Sequence, residues 1–92
     1  MPFIATFASS HAALGAEQAC LGEALPVELI PVPRQIRADC GFCLLVDGGP
    51  DPAETARRLA RLRSCGAREL WQVTVCQNDP SCRKVKSYER IP

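Results

Sequence analysis

Apolar positions cluster at Phe3 to Phe7 and stop at Ser9-Ser10. A short apolar run followed by good N-cap residues predicts a strand and then a helix. From His11 to about Ala24 the chain is rich in alanine, with Leu14 and Leu21 seven apart and Glu17, Gln18 and Glu23 at polar positions. That spacing predicts an amphipathic helix ending near Pro26. Val27 to Val32 is β-prone, but Pro31 and Pro33 cannot donate to a ladder, so this strand is expected at a sheet edge. Phe42-Cys43-Leu44-Leu45-Val46 is a continuous apolar run closed by the turn signal Asp47-Gly48-Gly49-Pro50, as expected of a central strand. Asp51-Pro52-Ala53-Glu54 then supplies an N-cap, a proline at the first helical position and an acid at the third. Ala56, Leu59, Ala60 and Leu62 give this second helix an apolar stripe, Arg57, Arg58, Arg61 and Arg63 a wet face, and Gly66 a stop. Leu70 to Cys76 alternates Trp71, Val73 and Val75 against Gln72 and Thr74, the period of a half-buried strand. Residues 77–92 are polar, hold Pro80 and the basic Arg83-Lys84-x-Lys86, and read as a tail that packs loosely or stays mobile.

The predicted order, β-α-β-β-α-β, is that of a ferredoxin-like α+β sandwich: an antiparallel four-stranded sheet with two helices on one face. One domain is expected over residues 1–76, followed by a polar C-terminal tail, 77–92. Tracing the directions brings Ser9, Ser10, His11, Cys40 and Cys65 to one end of it. The fourth strand has no proline or lysine to blunt it, so either the tail covers its edge or two chains pair across it as a homodimer.

Ninety-two residues suffice for one core and not for two. A formal net charge of +1 provides no broad field to hold nucleic acid or an anionic membrane. Met1 to Phe7 carries no basic leader, and no later run is long enough to span a bilayer, so a cytoplasmic location is expected. In that compartment the six cysteines would be reduced thiols, each needing its own explanation.

The connection from Pro31 to Cys43 carries the densest chemistry. It joins a proline-stiffened edge, Arg34, Arg37 and the pair Cys40-Gly41. The thiolate is the reactive form of cysteine, and nearby guanidinium groups and free backbone N–H groups favour it, so Cys40 is the candidate reactive thiol. Arg34, Arg37 and Gly41 are its candidate stabilisers, and Asp39 opposes them. Cys43 is a candidate second thiol. Cys40-x-x-Cys43 resembles the thioredoxin spacing, but a strand follows here where thioredoxins have a helix, and only a turn at Gly41 could bring the two sulfurs together. A zinc site built from Cys40, Cys43 and a tail cysteine, Cys76 or Cys82, is a rival. Six residue steps of about 3.3 Å along the last strand would put Cys76 roughly 20 Å from Cys40, so no metal ligand is assigned. Cys20 and Cys65, near helix ends, are expected as core thiols, Trp71 as a core residue and His11 as a surface residue.

The chain resembles the small bacterial selenium/sulfur (Se/S) carrier protein-like domains. The resemblance lies in Phe7-x-Ser9 before an alanine-rich helix with Glu17, in Ile30-Pro31-Val32-Pro33-Arg34, and in Cys40-Gly41 before an apolar strand, and covers about residues 3 to 75. It implies that Cys40 carries sulfur or selenium as a persulfide or selenopersulfide, taken from a protein donor and passed to a protein acceptor. Arg34 and Arg37 would stabilise the anion, and no organic cofactor is needed. Such a chain is a carrier more than a turnover enzyme. Cys43, Cys76 and Cys82 are additions to the family's pattern. A zinc-binding or regulatory module, and a thiol-disulfide oxidoreductase using Cys40 and Cys43, are the alternatives.

Overall fold

The computed structural model describes residues 2–36, 41–76 and 85–91. Its elements run β1 (Pro2–Thr6), α1 (Ser10–Gly22), β2 (Val27–Pro31), β3 (Phe42–Asp47), α2 (Pro52–Ser64), β4 (Glu69–Cys76) and β5 (Val85–Ile91). The strands form one sheet in the order β2-β3-β1-β4-β5, each antiparallel to its neighbours. The class is α+β, with two helices and five strands among the described residues.

The four-stranded ferredoxin-like expectation is therefore corrected by one strand. Residues 85–91, expected as part of a loose tail, run back along β4 from Cys76↔Val85 to Leu70↔Ile91. Of the two alternatives for the edge of β4, the tail takes it: β4 is paired on both sides within one chain. The new outer strand exposes Ser87, Glu89 and Arg90, polar residues that discourage further pairing. At the other edge stands β2 with Pro31, as the proline argument requires.

The alternation of side chains gives the sheet two apolar faces. Phe3, Ala5, Leu44, Val46 and Leu70 pack with Ala13, Ala16 and Cys20 of α1 and Leu62 of α2, so both helices lie against the same face. On the opposite face Ile4, Cys43 and Val73 form a smaller cluster with Ile36, against which Trp71 and Tyr88 also pack. The indole Nε1 of Trp71 is buried there with no hydrogen-bond partner among the described residues.

Ser9 caps α1 by accepting a hydrogen bond from the Ala12 N–H at 3.1 Å. The face that α1 buries differs from the leucine stripe expected for it. Ala13, Ala16 and Cys20 are buried, whereas Leu14 and Leu21 are about half exposed, at 46 % and 51 %. Small side chains let the helix axis approach the sheet, and that proximity leaves no room for leucine on the inner side.

Helix α2 begins as expected. Asp51 accepts from the Glu54 N–H at 2.8 Å, Pro52 occupies the first turn, and Glu54 bonds Arg57 and Arg58. Its inner stripe is narrower than expected: Leu62 is buried and Leu59 half-buried, while Ala56 and Ala60 are exposed. The preceding turn depends on Gly49, at φ 93°, where an added Cβ would come within 2.7 Å of the Glu54 side chain.

The two helices end in the same hydrogen-bonded motif. At α1, Ala24 N–H donates to the Leu21 carbonyl (3.1 Å) and Leu25 N–H to the Cys20 carbonyl (2.9 Å). At α2, Gly66 N–H donates to the Arg63 carbonyl and Ala67 N–H to the Leu62 carbonyl, both at 3.1 Å. Both are Schellman ends, which require a left-handed residue after the cap.

Candidate functional site

The candidate loop stands on the β2–β3 hairpin. The ladder runs to Pro31↔Phe42, and Val32 N–H donates to the Gly41 carbonyl at 3.1 Å, which extends the pairing by one step and fixes the base of the loop. Within it, Ile36 N–H donates to the Pro33 carbonyl at 3.0 Å, a turn that drops Ile36 into the second apolar face, where it is 4 % exposed. This buried isoleucine ties the first half of the loop to the sheet.

The sequence-predicted residues fall on both sides of what the structure describes. Arg34 is exposed on the Pro33–Ile36 turn, and Gly41 is exposed with open space where a Cβ would stand. Arg37, Asp39 and Cys40 lie outside the described residues, as does Cys82. Cys43 is fully buried, on the face of β3 turned away from the helices, with its thiol 3.9 Å from the Pro31 carbonyl oxygen, which it faces as donor. Tyr88 of β5 packs against the same apolar cluster on this face, and its phenol is pushed up by burial and, secondarily, by Cys43. The strand that sequence reasoning missed thus contributes an aromatic to the apolar face on which the second candidate thiol lies.

The registers gather one end of the sheet. Thr6 pairs with both Cys43 and Glu69, and Arg68 N–H donates to the Thr6 carbonyl at 2.8 Å. The loop base, the end of β1 and the start of β4 therefore lie together, as the predicted topology requires. His11 is exposed in the first turn of α1. Cys65, expected near the Ser9 end, instead meets Cys20 in the last turn of α1; burial, followed by the adjacent Cys65, pushes the Cys20 thiol up to about 11. Nothing in a linear reading pairs residues so far apart in the chain.

Cys76 closes β4 at the end opposite Glu69, and the β4–β5 connection opens and closes there, at Cys76↔Val85. Cys43, level with Thr6 and Glu69, is separated from Cys76 by the length of β4. Among the described residues no group of His, Cys, Asp and Glu side chains is arranged to hold a metal ion, and no helix is long and apolar enough to cross a membrane.

No curated protein and no solved structure shows significant similarity to the chain. One family model, described as "Putative Se/S carrier protein-like", matches residues 3–62, a span that takes in β1, α1, β2, the whole 32–41 loop, β3 and most of α2. With more than half of its length inside that match, the chain belongs to the Se/S carrier protein-like family.

Proposed function

We propose that the chain carries sulfur or selenium on Cys40 and passes it between protein partners. The observation that supports this is the family match, which includes the loop with its Cys40-Gly41 pair. The surroundings are compatible with it: Gly41 is exposed, Arg34 is exposed on the same loop, and the loop base is held by the Val32–Gly41 hydrogen bond.

The chemistry is a transfer of one neutral chalcogen atom. The Cys40 thiolate attacks the terminal sulfur of a donor persulfide, R–S–SH, forming the new sulfur–sulfur bond while the donor's own breaks. The donor leaves as R–S⁻, and Cys40 holds the persulfide; a selenopersulfide donor delivers selenium in the same way. Arg34 and Arg37 stabilise the anion by charge. The acceptor's thiolate repeats the step on Cys40 and restores the thiol. Cys43 takes no direct part, because its buried sulfur offers no path to a docking protein.

Intact mass spectrometry after incubation with a persulfide donor tests this reading. One added sulfur atom mapped to Cys40, lost in Cys40→Ser and kept in Cys43→Ser, is the expected result. Alkylation in the folded chain should also be faster at Cys40 than at Cys82. Equal rates, or loading that needs Cys43, would turn the reading toward an oxidoreductase or a structural role.

A further inference from the structure

Helices α1 and α2 bring a second pair of thiols together, away from the candidate loop. Cys20 is fully buried in the last turn of α1, and Cys65, the C-cap of α2, is half-buried and packs on the same core cluster. Cys65 is close enough to the Cys20 thiol to help raise it, and both are free thiols. Both backbones are held: the Cys20 carbonyl accepts from Leu25 N–H at 2.9 Å, and Cys65 N–H donates to the Arg61 and Leu62 carbonyls at 3.1 Å. Beside them an ion pair from Arg61 to Glu23, the C-cap of α1, joins the same two helix ends.

We propose that Cys20 and Cys65 form a redox-active dithiol, which a low-molecular-weight disulfide closes into a covalent link between the ends of α1 and α2. Cys65 reacts first because it is the more exposed. Its thiolate attacks one sulfur of the oxidant RSSR, the oxidant's S–S bond breaks, and one RS⁻ leaves to take up the proton that Cys65 released. The sulfur of Cys20 then gives up its proton and attacks Cys65 Sγ in the mixed disulfide. The Cys20–Cys65 bond forms and the second RS⁻ departs as RSH. Two protein thiols are oxidised and one small disulfide is reduced to two thiols.

The surroundings assign these roles. Burial, the adjacent Cys65 and the Glu23 carboxylate all hold the Cys20 proton on, and Arg61 opposes them. Cys20 is thus a poor initiator, and it suits the resolving step, in which its partner sulfur is already in place.

The test uses the full chain carrying Cys40→Ser, Cys76→Ser and Cys82→Ser, incubated with glutathione disulfide, acid-quenched and digested without reduction, beside the wild-type chain treated alike. The expected product is a linked peptide pair joining Cys20 to Cys65, lighter by two hydrogens than its parts. The oxidised chain should also melt roughly 10 °C or more above the reduced one, since a link of this span restricts the unfolded state. Adding Cys65→Ser should abolish both effects. Glutathione that stays on Cys65 without a link, an inert Cys65 in the folded chain, or a link that forms only in urea would each overturn the proposal. Because this background lacks Cys40, the outcome is independent of the carrier reading.

Discussion

At the end of α1, Ala24 sits at φ 60°, and at the end of α2, Gly66 sits at φ 99°, although the carbonyls they help to satisfy follow one pattern. An L-residue tolerates the left-handed region in a narrow window near +50 to +70°, and Ala24 falls inside it. Gly66 lies beyond it, where a Cβ is not accommodated without strain. Two stops with the same hydrogen bonds thus place unequal demands on sequence, because a change of some 40° in one dihedral separates an acceptable alanine from a required glycine.

Four measurements sharpen or break this contrast. The largest effect is expected at Leu62, the residue whose carbonyl the α2 stop satisfies and whose side chain is wholly buried. Leu62→Ala should lower unfolding stability in urea by about 3 kcal/mol. The second uses pH. Cys20 holds the equivalent position in α1, and its thiol is raised from the ordinary value of 9.0 to about 11. Folding therefore favours the protonated form, so this contribution is intact below about pH 9 and is lost as pH climbs from there to about 11. The loss should be on the order of 2 kcal/mol, and Cys20→Ala should flatten that part of the profile. Third, Gly66→Ala should cost about 1 to 2 kcal/mol in chemical denaturation, with no extra cavity to explain it. Smallest is Ala24→Gly: relief of the left-handed strain is offset by the greater freedom of glycine in the unfolded chain, for a net gain of about 0.5 kcal/mol. If Ala24→Gly stabilises as much as Gly66→Ala destabilises, the difference in φ is not what distinguishes the two ends.

A second charge-dependent check lies at the start of α2. Glu54 is held down to about 2 by hydrogen bonds from Arg57 and then Arg58. The stabilisation it provides is present above the usual carboxylate range and fades as pH falls through that range toward 2, so Glu54→Gln should shallow the acid limb of the stability curve.

Local chemistry was legible in the sequence wherever neighbours decide the outcome. Asp51, Pro52 and Glu54 announce the start of α2, Pro31 announces an edge, and Phe42 to Val46 announce a strand near the middle of a sheet. The buried face of α1 was not legible from leucine spacing, because close approach to the sheet selects Ala13 and Ala16 and turns Leu14 and Leu21 outward. Strand β5 escaped because Val85 to Ile91 has no strict alternation; its conformation comes from pairing with β4, and composition alone reads as a tail. For the candidate site, the sequence located the loop and the exposed Arg34 and Gly41. It also offered Cys43 as a second thiol, and the structure buries that thiol completely. The meeting of Cys20 and Cys65 depends on how two helices settle on one sheet face, which no linear pattern encodes.

The central position of β1 has a consequence for how the chain is assembled. Its partners in the sheet are β3 and β4, and the contact from Thr6 to Glu69 closes a loop of more than sixty residues. On a ribosome the earliest of these strands would therefore emerge long before either neighbour exists, with Phe3, Ile4 and Phe7 seeking cover. Much of the entropy of ordering must be spent before that strand finds its place, which makes for slow, concerted folding rather than stepwise growth from one end. A nascent chain stalled before α2 should accordingly remain protease-sensitive at β1, and protection should arrive together with β4.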